Sequence, residues 1–377
     1  MFRYLQPLVQ ADLPRKLVLL TGPRQVGKTT LARQLGEAAG SAAYLNWDVP
    51  ADRAVLQQQT WPLSSRLLVF DEIHKMAGWK AWLKGVVDGR PAGQQLLVTG
   101  SARMDTFRQG GESLAGRYFA YRLHPVSVRE WCEVKGVEPQ QALDHLLQRG
   151  GFPEPCLAED AVQADRWRAQ YLTDLVREDV LEFSRVQEIG AMRLFVEVLR
   201  DRVGSPLSLA SIARDLAVSP STLQRYLDIL QALFIVFTVQ PWHRKIARAL
   251  LQSPKVYFYD TGMVRGGEGP RLENAVAAML LKHAHWLCDA RGRDASLHYV
   301  RTKDGAEVDF ALAEQGELTR LVECKWADGH PHRALTRFAQ TFPEAEAVQL
   351  VHDLRQEQDF EHINIRRAGP WLARLSA

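Results

Sequence analysis

The sequence predicts an α/β protein whose first part is a parallel sheet with helices on both faces. Strand-like apolar runs alternate with helical patterns up to about Val126, and strands that alternate with helices form parallel sheets. The first run, Leu17–Leu20, leads through a glycine-containing turn into a helix predicted over residues 29–39. Further strands are predicted over residues 42–47, 66–73, 95–101 and 118–123. Ligands of such sheets bind at the carboxyl ends of the strands, so we expect a functional site there.

The turn after the first strand has the spacing of a phosphate-binding loop. It fits G-x-x-x-x-G-K-[ST] at every fixed position, between a strand and a helix. Glycines at 22 and 27 allow backbone N–H groups to point at phosphate oxygens, and the following helix adds its positive dipole end. Lys28 would reach the β- and γ-phosphates, and the Thr29 hydroxyl would hold Mg²⁺. The predicted nucleoside triphosphate site consists of Gly22, Pro23, Arg24, Gln25, Val26, Gly27, Lys28, Thr29 and Thr30.

Two adjacent carboxylates end the strand predicted over residues 66–73. Asp71 would complete the Mg²⁺ shell. Neighbouring side chains on a strand point in opposite directions, so the two acids share one task only if the strand ends there; Glu72 is better suited to deprotonate the attacking water. This arrangement predicts hydrolysis. Ser101 or Thr99, at the end of the next strand, could hydrogen-bond the γ-phosphate or that water.

Arg117 precedes the strand predicted over residues 118–123. An arginine there could stabilise γ-phosphate charge, either in cis or across a subunit boundary. The alternative is that it faces solvent or pairs with a carboxylate. Action in trans would require a homo-oligomer, so the oligomeric state stays open.

Composition excludes several classes of protein. The length of 377 residues predicts two or three domains. The composition, 46% hydrophobic and 24% charged, is typical of a globular rather than a disordered protein. The net charge of +3 does not by itself demand a nucleic-acid partner. The four cysteines show no C-x-x-C spacing, which fits a reducing cytoplasm. No signal-peptide core and no apolar run near the ~20 residues of a membrane span is present, so we expect neither secretion nor a membrane location.

The middle of the chain is predicted to be helical. Two amphipathic helices, over residues 207–216 and 220–230, have helix-turn-helix spacing, and residues 234–239 could form a wing. Arg225 is the one cation on the second helix. Because DNA binding requires several phosphate contacts, a module that packs against its neighbours is the favoured interpretation.

A second group of charged residues lies in a predicted hairpin. Strands over 307–313 and 318–325 flank a turn at Gly316, and folding about that glycine brings Asp309 opposite Glu323. Facing carboxylates repel unless a cation joins them, so a divalent ion is one explanation, with Lys325 orienting water or stabilising the transition state. The other explanation is a hairpin in which Lys325 neutralises both acids. Glu273, on a helix predicted over residues 271–283, could be a further ligand.

These motifs together resemble a known family. They are GPRQVGKTT, FDEIHKMAGW, VTGSA, ESLAGR, GGFPE, YFYDTGMV, RTKDGAEVDF and VECKW. The chain looks like the bacterial and archaeal AAA-type ATPases, in which a P-loop domain precedes a helical and winged-helix region. Their C-terminal domain, of formerly unknown function, is similar to the restriction-endonuclease-like PD-(D/E)xK fold. The implied domains are residues 1–135, 136–250 and 251–377.

The resemblance also implies functional residues. ATP would be hydrolysed through Lys28, Thr29, Asp71 and Glu72, with Ser101 as a sensor and Arg117 as a candidate arginine finger. A nuclease-like site with a second Mg²⁺ or Mn²⁺ would comprise Glu273, Asp309, Glu323 and Lys325. His74 is a small departure, because relatives usually carry glutamine there.

Two functions therefore remain open. In the first, which the sequence favours, ATP hydrolysis controls a metal-dependent nuclease domain acting on DNA. In the second, ATP binding reorganises the middle region to recruit a protein partner, and the C-terminal domain is catalytically silent.

Overall fold

The chain forms two compact units, Met1–His124 and Pro125–Ala377. The structure, a computed structural model, describes residues 1–100, 114–175, 189–243 and 253–377. Helices and strands are numbered below in chain order within these residues.

The first unit is built on a five-stranded parallel sheet. Its strands are β1 (Leu17–Thr21), β2 (Ala42–Asn46), β3 (Leu67–Asp71), β4 (Gln95–Thr99) and β5 (Tyr118–Arg122). Its helices are α1 (Gln6–Asp12), α2 (Lys28–Ala39), α3 (Pro50–Gln58) and α4 (Trp79–Gly89), with a 3₁₀ turn at Ile73–Lys75. The strand order is β2-β3-β4-β1-β5, so β4 separates the strand before the loop from the strand that carries Asp71. The predicted α/β fold of this part is confirmed.

Helices cover both faces of this sheet. Every residue of β1 and β3 is buried, although successive side chains point to opposite faces. On one face the sheet packs with α3 and α4 in a cluster that contains Leu17, Leu19, Leu56, Leu68, Phe70, Leu83, Val86, Leu96 and Val98. Helix α2 lies against β2, β3 and β4. The sheet is therefore a rigid support for the loops at its carboxyl edge.

The second unit combines helices with an eight-stranded mixed sheet. Its helices are α5 (Val128–Lys135), α6 (Pro139–Arg149), α7 (Pro153–Leu157), α8 (Ala161–Asp174), α9 (Ile189–Arg200), α10 (Leu209–Asp215), α11 (Pro220–Ala232), α12 (Glu268–Arg291), α13 (Arg333–Thr341) and α14 (Ala368–Ala373). Its strands are β6 (Val236–Pro241), β7 (Lys255–Phe258), β8 (Ala295–Arg301), β9 (Glu307–Glu314), β10 (Glu317–Lys325), β11 (Glu346–Val351), β12 (Gln358–Asp359) and β13 (Asn364–Arg367). The order across the sheet is β12-β13-β11-β10-β9-β8-β6-β7.

The sheet joins regions that the sequence predicts to be separate domains. Strand β6 belongs to the predicted region 136–250, yet it pairs with β7 and β8 of the predicted domain 251–377. The compact units also divide after His124 rather than after residue 135. The division differs because strand pairing between residues distant in the chain is not visible in local sequence patterns. Helices α10 and α11 and strand β6 lie where the sequence places them, while the winged-helix assignment stays a prediction.

The β9–β10 hairpin has the predicted register. Gln315 and Gly316 both have positive φ, 54° and 84°, which is the signature of a two-residue turn that matches strand twist. After an irregularity beyond Leu318, Arg320 pairs with Leu312. The pairs that follow keep the same sum of residue numbers, so Asp309 and Glu323 come to the same end of the hairpin, as predicted.

Candidate functional site

The phosphate-binding loop connects β1 to the first residue of α2. Gly22 has φ +148°, and a Cβ atom there would lie 2.4 Å from the carbonyl oxygen of Leu123. Gly27, with φ +100°, precedes the helix. Both glycines are thus required by the backbone path. The residues between them, Pro23, Arg24, Gln25 and Val26, form the loop, and Thr29 and Thr30 lie in the first turn of α2.

Arg3 braces this loop from the start of the chain. Its side chain is buried, and Nη1 donates to the carbonyl oxygen of Val26 at 2.6 Å. The other terminal nitrogen donates to the carbonyl oxygen of His124. No sequence pattern indicates this role, because a single arginine near the N-terminus forms no recognisable motif.

Lys28 lies buried on the loop's own backbone. Its Nζ donates to the carbonyl oxygens of Gly22 and Pro23 at 2.9 and 2.6 Å. Burial lowers the pKa of Lys28 to about 8, although the charges of Glu72 and Asp71 oppose this shift. Negative charge brought close to this side chain, such as that of a phosphate, favours its protonated form and so raises its pKa again.

Asp71 is held at the end of β3 by two hydroxyl groups. Thr99 Oγ1 donates to Oδ1 at 2.6 Å, and the Tyr44 hydroxyl donates to Oδ2. Burial, together with Asp71, raises the pKa of Tyr44, and a side-chain hydrogen bond with Thr29 opposes that rise. Tyr44 thus lies close to both Thr29 and Asp71. Hydroxyl and carboxylate oxygens suit Mg²⁺, so Thr29 and Asp71 fit the role that the sequence predicts for them.

Glu72 has a different environment from Asp71. Strand β3 ends at Asp71, and Glu72 adopts the left-handed conformation, with φ 56°. Its Oε2 is buried and has no hydrogen-bond partner among the described residues. That oxygen lies 3.5 Å from His74 Nε2 and 3.6 Å from Lys75 Nζ. Burial, followed by the charge of Asp71, raises the pKa of Glu72. The break in the strand gives the two acids separate tasks.

The roles of two further residues, Ser101 and Arg117, stay predictions. Ser101 lies outside the described residues, and Thr99 bonds Asp71. Arg117 forms a bidentate ion pair with Asp88, at 2.8 and 3.1 Å. This pairing is one of the alternatives that the sequence leaves open for Arg117.

The predicted acidic site of the second unit is engaged by protein donors. Glu323 Oε1 accepts from Lys325 Nζ at 2.7 Å and lies 3.1 Å from His332 Nδ1. Its Oε2 accepts from the Asp309 backbone N–H at 3.3 Å. Asp309 Oδ2 in turn accepts from the Cys324 N–H at 2.9 Å. Burial, followed by the charge of Asp309, raises the pKa of Glu323 to about 8.

A buried lysine that the sequence analysis missed lies beside these acids. The Nζ atom of Lys255, on β7, is 2.7 Å from Glu307, 3.5 Å from Glu273 and 3.7 Å from Asp309. Glu273, on α12, also accepts from the Tyr257 hydroxyl at 2.7 Å. Burial and the charge of Asp309 raise the pKa of Glu273 to about 7. One signal could have identified Lys255: it is a charged residue at the start of an otherwise apolar strand.

Protein groups engage the oxygens of the predicted metal site. Across residues 1–100, 114–175, 189–243 and 253–377, no group of three or more His, Cys, Asp or Glu side chains is placed to hold a metal ion. That Glu273, Asp309 and Glu323 share a metal stays a prediction. Lys255 and backbone N–H groups bind their oxygens, and Lys325 bonds Glu323 instead of facing an open site.

Comparison with known proteins gives the family. The AAA domain family matches residues 14–132, and two domains of unknown function, DUF8612 and DUF4143, match residues 140–266 and 268–367. Uncharacterized protein Rv2008c of Mycobacterium tuberculosis is 30% identical over 312 residues, which cover 80% of this chain and 68% of that protein. The chain belongs to the same family as Rv2008c. An uncharacterized protein of Haemophilus influenzae is 24% identical over 349 residues, which cover 84% of this chain and 84% of that protein. The first unit thus contains an AAA-type P-loop ATPase domain.

Solved structures show weaker likenesses. A RuvB variant from Thermotoga maritima has 19% identity and a TM-score of 0.32, over 62% of this chain and 86% of that chain. AMPPCP-bound DnaA from Aquifex aeolicus has 14% identity and a TM-score of 0.30, over 60% and 86%. Of the helices in the described residues, none combines the length and apolarity needed to cross a bilayer.

Proposed function

We propose that the first unit hydrolyses ATP, with Glu72 as the general base. The observation that carries this proposal is the buried Oε2 of Glu72, which has no hydrogen-bond partner among the described residues. It lies next to Asp71, whose two oxygens are both engaged by hydroxyl groups. A carboxylate with a raised pKa and an available oxygen is suited to accept a proton from water.

The remaining residues bind and orient the phosphates. Backbone N–H groups of the loop and the N-terminus of α2 would receive the phosphate oxygens. The Lys28 ammonium would leave the carbonyl oxygens of Gly22 and Pro23 for the β- and γ-phosphates. Thr29 and Asp71 would hold Mg²⁺, and the bound ion supplies charge neutralisation at the phosphate oxygens.

Phosphate release by the full chain tests this proposal. Glu72→Gln should still bind ATP but hydrolyse it at least about 100-fold more slowly, which is the usual effect of losing a general base. Lys28→Ala should lose nucleotide affinity as well. Glu37→Gln, at an exposed position on α2, is the matched control and should behave as the wild type. Wild-type turnover by Glu72→Gln would contradict the role of Glu72.

For the second unit we propose a role as a switch. ATP binding would reorganise its helical region, which would then recruit a protein partner, and the C-terminal domain would be catalytically silent. The observation that favours this role over nuclease control is that two protein cations, Lys255 and Lys325, already form ion pairs with the acids of this centre.

Cleavage of supercoiled and linear DNA in Mn²⁺ or Mg²⁺, with and without ATP, separates the two roles. We expect no cleavage above background, together with ATP hydrolysis by the same preparation. Cleavage that disappears in Lys325→Ala while ATP turnover persists would instead establish the nuclease role. The matched control for Lys325→Ala is Lys303→Ala, an exposed lysine of the same unit.

A further inference from the structure

Lys255 is almost completely removed from solvent, with 1% of its surface exposed. Three carboxylates surround its Nζ atom, and they come from different elements: Glu273 from α12, and Glu307 and Asp309 from β9. The ring of Tyr299, on β8, lies 5.4 Å from the same atom. An ammonium has three N–H donors, so three acceptors can satisfy it.

We propose that Lys255 is the built-in cation of this acidic centre, and that it excludes a divalent metal by occupying the position in which such an ion would bind the carboxylates. The centre is then a metal-free ion-pair cluster in the wild-type chain. Removing the ammonium should convert it into a divalent cation site. This inference concerns the second unit and does not depend on ATP hydrolysis in the first.

The geometry makes the two cations mutually exclusive. A divalent ion such as Mg²⁺ needs several oxygen ligands at about 2.0–2.6 Å. The oxygens that could supply them at this point, on Glu273, Glu307 and Asp309, are those within 4 Å of Lys255 Nζ. Buried carboxylates repel one another and require a positive charge nearby. The lysine supplies it without leaving a coordination position for water.

The surroundings also hold Glu273 in place. Its Oε1 accepts from the Tyr257 hydroxyl at 2.7 Å. A Cβ atom built on Gly204 would lie 2.5 Å from that oxygen, so the carboxylate packs directly against the glycine backbone. Because Glu273 is held in this way, loss of the Lys255 charge should leave its carboxylate beside those of Glu307 and Asp309, where a divalent ion can draw the three together.

Mn²⁺ binding to the full chain without nucleotide tests the proposal. All variants carry Asp71→Asn, which removes the carboxylate proposed to bind metal in the first unit. The Asp71→Asn chain is the reference. Calorimetry and the electron paramagnetic resonance signal of free Mn²⁺ should show that Asp309→Asn does not change its Mn²⁺ binding. Adding Lys255→Met should create a site for a single Mn²⁺, and adding Asp309→Asn as well should abolish it. Lys303→Met, at an exposed position, should gain nothing.

Several outcomes would overturn the proposal. One is Mn²⁺ binding by the reference that Asp309→Asn removes, since metal and lysine would then coexist. Another is a folded Lys255→Met variant that gains no Mn²⁺ site. If Lys255→Met does not fold alone, Mn²⁺ should restore its circular dichroism, and failure to do so would count against the idea. Independently, Mn²⁺ and EDTA should leave the melting temperature of the reference unchanged.

Discussion

Because Lys28 is buried, its charge should change within the pH range of ordinary experiments. Its pKa of about 8 lies below the ordinary value of 10.5, so the side chain loses its charge above pH 8. Phosphate binding favours the charged form, and ATP binding should therefore take up a proton above this pH. We expect affinity for ATP to fall by up to about tenfold per pH unit in that range.

Calorimetry in two buffers of different ionisation enthalpy, at about pH 7 and about pH 9, would measure the proton uptake. Lys28→Arg keeps its charge throughout and is the control, because a guanidinium does not titrate in this range. If the ATP affinity of the wild type is as independent of pH as that of Lys28→Arg, Lys28 stays protonated and the prediction is wrong.

Tyr44 is expected to set the metal requirement of the nucleotide site. Its hydroxyl donates to Asp71 and lies near Thr29, the two residues proposed to hold Mg²⁺. In Tyr44→Phe the carboxylate loses a hydrogen bond to a charged group, which is typically equivalent to about tenfold in affinity. We therefore expect ATP hydrolysis to require roughly tenfold more Mg²⁺. Tyr118→Phe, on β5, is the control and should leave the Mg²⁺ dependence unchanged. A higher Mg²⁺ requirement in Tyr118→Phe but not in Tyr44→Phe would contradict this role of Tyr44.

At the scale of elements, the loop between β1 and α2 depends on one close backbone approach. In Gly22→Ala the new methyl group would meet the carbonyl oxygen of Leu123, where the chain has positive φ. We expect loss of nucleotide binding and a lower melting temperature. Gly85→Ala, in α4, is the opposite case, because no atom lies within 4 Å of its added Cβ. It should stabilise the protein by about 0.5–1 kcal/mol. Equal effects of the two substitutions in thermal unfolding would refute this explanation.

A buried ion pair ties α5 to α12 in the second unit. Lys282 Nζ donates to Glu130, and it also bonds Ser127 Oγ at 3.1 Å and the carbonyl oxygen of Pro125 at 3.2 Å. Lys282→Met leaves the Glu130 carboxylate buried and should lower the free energy of unfolding by about 3–5 kcal/mol. The double variant Lys282→Met/Glu130→Gln should recover part of this loss. Chemical denaturation would measure both; no recovery would mean that packing rather than charge is responsible.

At the scale of the whole molecule, bound ATP should change both units if the proposed switch exists. In the Glu72→Gln variant, ATP would stabilise the first unit by about 2.7 kcal/mol at 100 times its Kd, and exchange of amide hydrogens in β1 and α2 should slow. We also expect altered exchange in residues 125–377. Mass spectrometry of deuterium uptake would localise the changes, with Lys28→Ala as the control. Changes confined to residues 1–124 would argue against the switch.

The sequence predicted the features that depend on neighbouring residues. The loop from Gly22 to Thr30, the strand ending at Asp71 and the hairpin turn at Gly316 are each encoded within a few positions. Glycine spacing and strand alternation restrict the backbone directly, so these patterns remain valid whatever surrounds them. The distinct environments of Asp71 and Glu72 follow from the same local rule, because the strand ends between them.

Contacts between distant residues could not be predicted in this way. Arg3 reaches Val26, Tyr44 reaches Asp71, and β6 joins a sheet made mostly of residues beyond 250. None of these partners has a fixed spacing along the chain. The same reason explains why residues 125–377 form one compact unit where local patterns divide them.

The sequence by itself predicted an AAA-type ATPase domain, which the comparison with known families confirms, and the residues of its nucleotide site, which stay predictions. Only the tertiary structure decided what balances the acids of the second unit. The hairpin pattern brings Asp309 and Glu323 together and calls for a cation, but a divalent ion and a buried ammonium satisfy the same local pattern. Lys255, more than 50 residues away from Asp309 in the chain, is placed among the acids by the pairing of β7 with β6 and the packing of α12. Electrostatic interactions act through space, so the identity of the compensating charge depends on the fold.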